Sequence, residues 1–376
     1  MKPYSPLSTL IAAALLRQEG HDVRLFDATF EAGVAAFKSR LDELRPEIVL
    51  LMEDNFNFLT KMCTTVRRES ALAMIGEAVR RGCRVAVNGP DAADNPGLYL
   101  CAGADAVVLG EGERAMLEVA NCWIKQGGDL SQIDGLVLPG RDQAQPTKPR
   151  RPEHDLDSLP HPAWDLLDVS AYRFAWLAAH HEFSWNMVTS RGCPYSCNWC
   201  AKPTFGRRYS VRSPQDVVAE MSRVAREIRP DHLWFTDDIL GLDIDWICSF
   251  AHEVERACVR VPFTMQSRVN LMTERSVAAL ARAGAREVWM GIESGSQKIL
   301  DAMDKATNVD AARAATRLLK TQRIKACWFI QLGYPSETWS DLIATRDLIR
   351  EEEPDEIGVS VAYPLPGTIF YDRVRA

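Results

Sequence analysis

Residues 191–200 read Arg191-Gly192-Cys193-Pro194-Tyr195-Ser196-Cys197-Asn198-Trp199-Cys200, a segment in which three cysteines have CxxxCxxC spacing after a short apolar run. A cubane iron-sulfur cluster contains four irons, so three thiolates can hold three of them and leave the fourth open to a small molecule. An open iron indicates catalysis rather than electron storage alone.

Two other interpretations of these cysteines are open at this point: a zinc site that lacks one ligand, or three unrelated buried cysteines. Structural zinc is usually held by paired CxxC knuckles, with a second knuckle or histidines completing the ligand set. The sequence contains no second knuckle. The spacing therefore favours a cluster over zinc.

Length and charge limit the class of protein. At 376 residues the chain exceeds the size at which one core usually keeps growing, so two domains are expected. Lys+Arg 44 against Asp+Glu 51 give a net charge of -7, which offers no general attraction to nucleic acid or anionic lipid. The 10 cysteines are scattered, unlike the dense framework of a small secreted domain, and indicate a reducing, cytoplasmic location.

The apolar segment Leu7–Leu16 could be mistaken for the core of a signal peptide. It runs directly into Arg17 and ends at Gly20, which is typical of an amphipathic helix with a glycine stop. No apolar run approaches the ~20 residues needed to span a bilayer. The sequence therefore predicts a helix here and no membrane span.

The N-terminal half alternates helices with short apolar strands. The predicted strands are Val23–Asp27, Ile48–Met52, Arg84–Val87 and Ala106–Leu109. Such alternation predicts a parallel, doubly wound, Rossmann-like α/β sheet, in which ligands bind at the carboxyl ends of the strands.

Three loops fall at that edge of the predicted sheet: Glu53–Asn57, Asn88–Asp91 and Gly110–Glu113. Glycines there permit close backbone approach, and helix starts supply free amide donors. Taken alone, each loop is better explained as an ordinary connecting turn.

The C-terminal half predicts a second α/β domain, a partial barrel of six strands and intervening helices. The predicted strands are Met187–Ser190, His232–Thr236, Phe263–Gln266, Glu287–Met290, Lys325–Gln331 and Glu356–Val361. This half is shorter than the ~250 residues typical of an eight-unit barrel, and in barrels the chemistry collects at the carboxyl ends of strands. A proline-rich stretch separates the halves, so the expected organisation is 1–128, a linker 129–183, and 184–376.

The cysteine segment, with Trp199 just before its third cysteine, resembles the signature of the radical S-adenosylmethionine (SAM) superfamily. In that family SAM chelates the open iron, and the reduced 4Fe-4S cluster cleaves it to a 5'-deoxyadenosyl radical that abstracts hydrogen from a substrate. The resemblance implies that Cys193, Cys197 and Cys200 are the cluster ligands.

The N-terminal half resembles the cobalamin-binding domain that precedes the radical domain in one branch of the superfamily. The matching stretches are Pro6–Leu10, Gly20–Val23, Asn88–Pro90, Gly103–Asp105 and Gly110–Glu113. That domain normally opens with a strand before the Pro-Leu loop, and Met1 leaves no room for it here, so either the start is misplaced or trimmed or the first strand is absent. No Asp-x-His-x-x-Gly motif marks a histidine as an axial cobalt ligand.

The resemblance also implies which residues contact the organic cofactors. Those expected near SAM are Trp199, Glu293, Gly333 and Pro366, and those expected near cobalamin are Asn88, Gly89, Gly110, Glu111, Gly112 and Glu113. Arg268, just past the third barrel strand, could pair with the SAM carboxylate or form a surface ion pair. Asp237 or Asp238 could orient substrate or cap a helix.

The other cysteines show no ligand spacing and are expected to be buried small side chains. They are Cys63, Cys83, Cys101, Cys122, Cys248, Cys258 and Cys327. Cys327 alone falls in a predicted barrel strand, where it could face a substrate.

By resemblance, the expected reaction is methyl transfer from methylcobalamin to an unactivated carbon of a small-molecule or peptide substrate, with a flavodoxin or ferredoxin as electron donor. One alternative is an oxidative or ring-forming reaction like that of the anaerobic magnesium-protoporphyrin ester cyclase. Another is a non-catalytic cobalamin or iron-sulfur carrier or sensor. A methylthio-transferring tRNA enzyme is disfavoured because the first domain has no second cysteine triad. Family members usually continue past the last barrel loop, so the chain is expected to be truncated there.

Overall fold

The computed structural model describes residues 3–54, 56, 64–125, 128–140, 143–200 and 205–376. The chain divides into two units, Met1–His181 with Pro203–Phe205 and Glu182–Lys202 with Gly206–Ala376. Asn55 and Asn57 of the first predicted loop, and Cys63, lie outside the described residues. Within the described ranges, no helix has the length and apolar character needed to cross a bilayer.

A five-stranded sheet forms the centre of the first unit. Its strands, in spatial order, are β1 (Ile48–Met52), β2 (Arg84–Asn88), β3 (Ala106–Val108), β4 (Leu136–Leu138) and β5 (Gln145–Pro146). The first three are parallel, and β4 and β5 add in antiparallel fashion. The helices of this unit are α1 (Leu7–Gln18), α2 (Gly33–Leu44), α3 (Thr64–Arg80), α4 (Pro90–Asp94), α5 (Pro96–Cys101), α6 (Glu113–Ile124) and α7 (Val169–His180).

Both faces of this sheet are covered by helices. Val85, Val87 and Val107 pack with Phe37 of α2 and Ile75 of α3 in one apolar cluster. The alternate residues of the same strands, Ala86, Ala106 and Val108, pack with Met116 and Val119 of α6 in another. Because side chains alternate between the faces of a strand, continuous apolar runs bury both faces, and the doubly wound prediction is confirmed.

Two expectations for this unit are corrected. Val23–Asp27 forms no strand. A strand requires a hydrogen-bonded neighbour, and β1, the edge strand of the sheet, pairs with β2 alone among the described strands. The segment read as a linker is also more ordered than its prolines suggest, since it contributes β4, β5 and α7.

A six-stranded, wholly parallel sheet forms the second unit. Its spatial order is β13 (Glu356–Val361), β12 (Lys325–Leu332), β11 (Ala285–Glu293), β10 (Phe263–Ser267), β9 (His232–Phe235) and β6 (Ser184–Met187). A separate antiparallel pair joins β7 (Ser190–Arg191) to β8 (Ser210–Val211). The helices are α8 (Pro214–Glu227), α9 (Ile244–Ala257), α10 (Glu274–Ala283), α11 (Gln297–Ala302), α12 (Val309–Thr321), α13 (Trp339–Glu352) and α14 (Ile369–Arg375).

Local signals fix the helices of this unit. Side chains at several helix starts accept backbone N–H bonds, which satisfies donors that would otherwise lack partners. They include Ser213, Asp243, Thr273 and Asn308. The predicted six-strand partial barrel is confirmed. The first strand was placed too late, since it spans Ser184–Met187 rather than Met187–Ser190.

Candidate functional site

The cysteine segment begins at the end of β7, the short strand that follows β6 along the chain. Gly192 has a φ of 80°, a left-handed conformation that glycine adopts without strain. The Cys193 N–H donates to the Gly206 carbonyl at 3.2 Å, and the Cys200 N–H donates to the Cys197 carbonyl at 3.3 Å. The three cysteines form no disulfide, and all three are half-buried.

Sulfur donors on one short loop fit an iron-sulfur cluster, which spreads its thiolates over separate irons. In the described part of the chain, no three His, Cys, Asp or Glu side chains surround a point that a single metal ion could fill.

Asn198, between the second and third ligand positions, anchors this loop. Its side chain is 2% exposed. Its amide donates to the Ala302 carbonyl and to an Asp304 carboxylate oxygen, both at 2.8 Å, and its Oδ1 accepts from the Tyr334 hydroxyl at 2.7 Å. These contacts tie the loop to the end of α11 and to the segment after β12. No sequence signal marks this role, although Asn198 stands inside the segment 191–200.

Trp199 packs against apolar side chains from several elements of the second unit. The cluster that it contacts is made of Ile299, Met303, Tyr334 and Phe370. Its indole Nε1 is buried and has no hydrogen-bond partner among the described residues. Because a buried donor normally has an acceptor, this atom fits a site completed by a polar ligand.

Glu293, at the carboxyl end of β11, forms a buried ion pair. Lys305 Nζ lies 2.6 Å from Glu293 Oε1, and the two residues are 6% and 4% exposed. Lys305 Nζ also lies 5.8 Å from the centre of the Trp199 ring. Opposite charges beside the cysteine loop are suited to an amino acid zwitterion such as the methionyl end of SAM. Lys305 was missed because no motif marks it, twelve positions beyond Glu293.

Glycine at position 291 leaves room for this pair. A Cβ on Gly291 would collide with Glu293 Oε1 and would lie 2.6 Å from Lys305 Nζ. Glu293 itself has a φ of 65°, which is uncommon for a residue with a side chain. Strain of this kind often occurs where a side chain is aimed at a functional site.

Arg268 is buried, so the expectation of a surface ion pair is wrong. It is 6% exposed, and its donors point to Cys197 Sγ, Asn270 Oδ1 and the Lys305 carbonyl. Its predicted contact with the SAM carboxylate stays a prediction.

The predicted SAM contacts on the last two loops have structural roles of their own. The Gly333 N–H donates to Glu337 Oε2 at 2.5 Å, and Gly333 has a φ of 78°. Pro366 is exposed, two residues before Thr368, whose hydroxyl caps α14. Their contacts with a cofactor stay predictions.

Asp237 caps no helix, because Asp243 caps α9 instead. Its Oδ1 accepts four hydrogen bonds, from the backbone N–H and hydroxyl of both Thr189 and Ser190. Its Oδ2 is buried and has no hydrogen-bond partner among the described residues. Burial raises the pKa of the Asp237 carboxyl to about 6. The residue therefore fixes the turn that leads into the cysteine segment.

The cysteines outside the segment 191–200 are not all buried as predicted. Cys83 and Cys327 are buried, and burial raises the pKa of the Cys327 thiol to about 12. Cys101 and Cys258 are exposed, which corrects their prediction as buried side chains. Cys101 is the last residue of α5 and Cys258 directly follows α9, and at both places the chain returns to solvent.

In the first unit the predicted cobalamin residues do lie at the carboxyl edge of the sheet. Asn88 ends β2, and its amide donates to the Val108 and Gly110 carbonyls, both at 3.0 Å. A Cβ on Gly112 would lie 2.5 Å from Asn88 Cγ, and one on Gly89 would lie 2.6 Å from Glu53 Cβ. These two glycines therefore accommodate neighbouring side chains of the protein.

Gly110 differs from them, because it has a φ of 73° and nothing within 4 Å of the position of its Cβ. Glu111 Oε2 accepts from the Glu153 N–H at 3.2 Å, and Glu113 is buried at the start of α6. The Thr9 hydroxyl is buried and has no hydrogen-bond partner among the described residues. An open backbone and an unpaired hydroxyl in this unit fit a polar cofactor, and the predicted contacts stay predictions.

Two family models match the chain. The model described as Radical SAM superfamily matches residues 187–349, and the model of the B12 binding domain matches residues 2–120. The two regions do not overlap, and together they cover most of the chain.

Two curated relatives match most of the chain. An uncharacterized methyltransferase of Pyrococcus horikoshii is 27% identical over 99% of this chain and 78% of its own length. The anaerobic magnesium-protoporphyrin IX monomethyl ester cyclase of Rubrivivax gelatinosus is also 27% identical, over 72% of this chain and 49% of its own length. The chain therefore spans about half of the cyclase and most of the methyltransferase.

A solved structure supports the fold. The radical SAM methyltransferase TsrM of Kitasatospora setae, with cobalamin and a 4Fe-4S cluster bound, superposes with a TM-score of 0.81 at 20% identity, over 98% of this chain and 71% of its own. The cysteine segment, the parallel half-barrel and the two matched models lead to one conclusion: the chain combines a B12-binding domain with a radical SAM superfamily domain, whose cofactors are cobalamin, SAM and a 4Fe-4S cluster.

Proposed function

We propose that this enzyme transfers a methyl group to an unactivated carbon of a small molecule. The observation that carries the proposal is the buried Glu293–Lys305 ion pair beside Trp199 and the three-cysteine loop, since it offers a zwitterion site next to a cluster site. A protein that merely stores electrons or carries cobalamin has no need of such a site. This disfavours the carrier or sensor alternative.

The bound cofactors supply radical formation and a transferable methyl group. The chain's own residues bind and orient them. Cys193, Cys197 and Cys200 hold the cluster, while Glu293 and Lys305 receive the ammonium and carboxylate of SAM. Trp199 closes that site against water. In the first unit the edge around Gly110 holds cobalamin.

Methyl transfer is favoured over oxidative cyclisation by the extent of the two similarities. The Pyrococcus methyltransferase matches nearly the whole chain, whereas the Rubrivivax cyclase matches 72% of it. The cyclase reaction is kept as the second candidate because the Rubrivivax cyclase is 27% identical over the region that it matches, the same value as for the methyltransferase.

The working conditions follow from the cofactors. A cluster with an open iron must be reduced before it can act, so we propose a flavodoxin or ferredoxin as electron donor and the reducing cytoplasm as the location. The net charge of -7 supports a substrate other than nucleic acid.

The test is anaerobic reconstitution with iron and sulfide, followed by reduction in the presence of SAM, with and without methylcobalamin. Formation of 5'-deoxyadenosine that is lost in Cys197→Ala supports the radical reaction. Product mass then separates the candidates: a gain of one methyl group supports transfer, and loss of hydrogen or gain of oxygen supports the cyclase type. An intact cluster that yields no 5'-deoxyadenosine would contradict the proposal.

A further inference from the structure

The buried guanidinium of Arg268 has contacts that SAM binding does not explain. It lies just after β10, with Nη1 3.4 Å from Cys197 Sγ. Its guanidinium carbon lies 3.7 Å from the centre of the Tyr195 ring, inside the cysteine segment. Two of its contacts, one hydrogen bond to sulfur and one cation–π contact, are thus made to the loop that would hold the cluster.

The remaining donors of Arg268 fix its orientation. Nε donates to Asn270 Oδ1 at 3.2 Å, and Nη2 donates to the Lys305 carbonyl. Asn270 in turn donates to the Tyr195 hydroxyl at 3.0 Å. The planar guanidinium is therefore held between the cysteine segment and the residue that pairs with Glu293, and rotation of the side chain would break several contacts at once.

The charge of Arg268 also has to be balanced inside the protein. Within the described ranges, no carboxylate lies at ion-pair distance from its guanidinium, whereas other buried arginines such as Arg212 have acidic partners. A buried cation needs an anion nearby, because removal from water otherwise costs several kcal/mol. The Cys197 sulfur, which is a thiolate when it binds iron, is the group placed to supply that negative charge.

We propose that Arg268 is a positioning residue that acts on the cluster through Cys197, raising its reduction potential and holding the ligand loop. A charged donor bonded to a ligand sulfur stabilises the reduced cluster more than the oxidised one, because reduction adds negative charge to the sulfurs. A higher potential makes reduction of the cluster by the electron donor more favourable. This inference rests on the proposed function, since it requires a cluster at the three cysteines.

The experiment measures the midpoint potential of the reconstituted cluster by electron paramagnetic resonance during a redox titration, without SAM, cobalamin or substrate. Arg268→Gln is expected to lower the potential and to speed cluster loss to an iron chelator. Arg268→Lys keeps the charge without the planar fork, so an intermediate potential is expected. The matched control is Arg275→Gln, because Arg275 is exposed and pairs with Asp245 on the surface.

Variants that leave Arg268 in place keep the inference testable if Arg268→Gln fails to hold a cluster. Asn270→Ala and Tyr195→Leu loosen the guanidinium and are expected to lower the potential by a smaller amount. A wild-type potential in all of the variants that carry a cluster would overturn the inference and leave the proposed function intact. If the unmodified chain assembles no 4Fe-4S cluster, the proposed function itself fails.

Discussion

At the scale of single residues, the second unit places several charged groups in its interior, and each is held by named partners. The Glu293–Lys305 pair has both charges out of solvent, so its stability depends on both members being present. Asp237 is buried with four donors on one oxygen and no partner on the other. Such groups make measurable contributions to stability even in the absence of cofactors.

Removal of one member of the Glu293–Lys305 pair should destabilise the second unit. Lys305→Met leaves a buried carboxylate unpaired, for which a loss of about 3–5 kcal/mol is expected. Glu293→Gln combined with Lys305→Met removes both charges and should lose only about 1–3 kcal/mol, the cost of an unsatisfied amide. Urea unfolding of the two variants checks this. A double variant less stable than Lys305→Met would contradict the role of the pair.

The pH dependence of stability should reveal Asp237. Its folded-state pKa, about 6, is raised above its ordinary value, so the folded protein holds this proton more tightly than the unfolded chain. The free energy of unfolding should therefore fall as pH rises from about 4 to about 6, by up to about 3 kcal/mol from this group, and stay constant above that range.

Asp237→Asn is the comparison that isolates this effect, because the asparagine Oδ1 can still accept from Thr189 and Ser190. Between pH 4.5 and pH 7, the unfolding free energy of the variant should change less than that of the unmodified protein, by up to about 3 kcal/mol. An equally steep change in both proteins would mean that other groups cause it.

At the scale of elements, the loop after β11 is packed directly onto α13. The Gly295 N–H donates to Thr345 Oγ1 at 2.8 Å, and a Cβ on Gly295 would lie 2.5 Å from the Ala344 carbonyl oxygen and 2.6 Å from Thr345 Cα. Both atoms belong to helix backbone, which has no rotamer to change. The glycine in this loop is therefore required by helix packing, whatever else the loop contacts.

Gly295→Ala should displace α13 and destabilise the protein by about 1–3 kcal/mol, a typical cost of overpacking. The control is Gly97→Ala, since Gly97 lies in α5 with open space at its Cβ and an ordinary backbone conformation. Thermal unfolding should show a lower midpoint for the first variant and no loss for the second. Equal midpoints would mean that the loop can shift without cost.

At the scale of the whole molecule, the two proposed cofactor sites are built from different units of the chain. The cysteine segment belongs to the second unit, and the edge formed by Asn88, Gly110 and Gly112 belongs to the first. Each site can therefore be damaged by a substitution in its own unit while the other is left intact.

Cys197→Ala should abolish the visible absorbance of the iron-sulfur cluster and leave cobalamin bound after desalting. Gly112→Ala should have the opposite effect, because its Cβ would displace the Asn88 side chain that bridges β2 and β3. Iron, sulfide and cobalamin are measured per chain for both variants. Loss of both cofactors in either variant would show that the sites depend on each other.

The sequence by itself determined the two-part α/β organisation and the two matched families, because these depend on local patterns. Strand and helix periods, caps and cysteine spacing are all set by near neighbours along the chain. Only the tertiary structure decided that Val23–Asp27 forms no strand, that Arg268 faces Cys197, and that Lys305 pairs with Glu293. These facts depend on residues far apart in sequence, where pairing and burial are settled by packing rather than by any local signal.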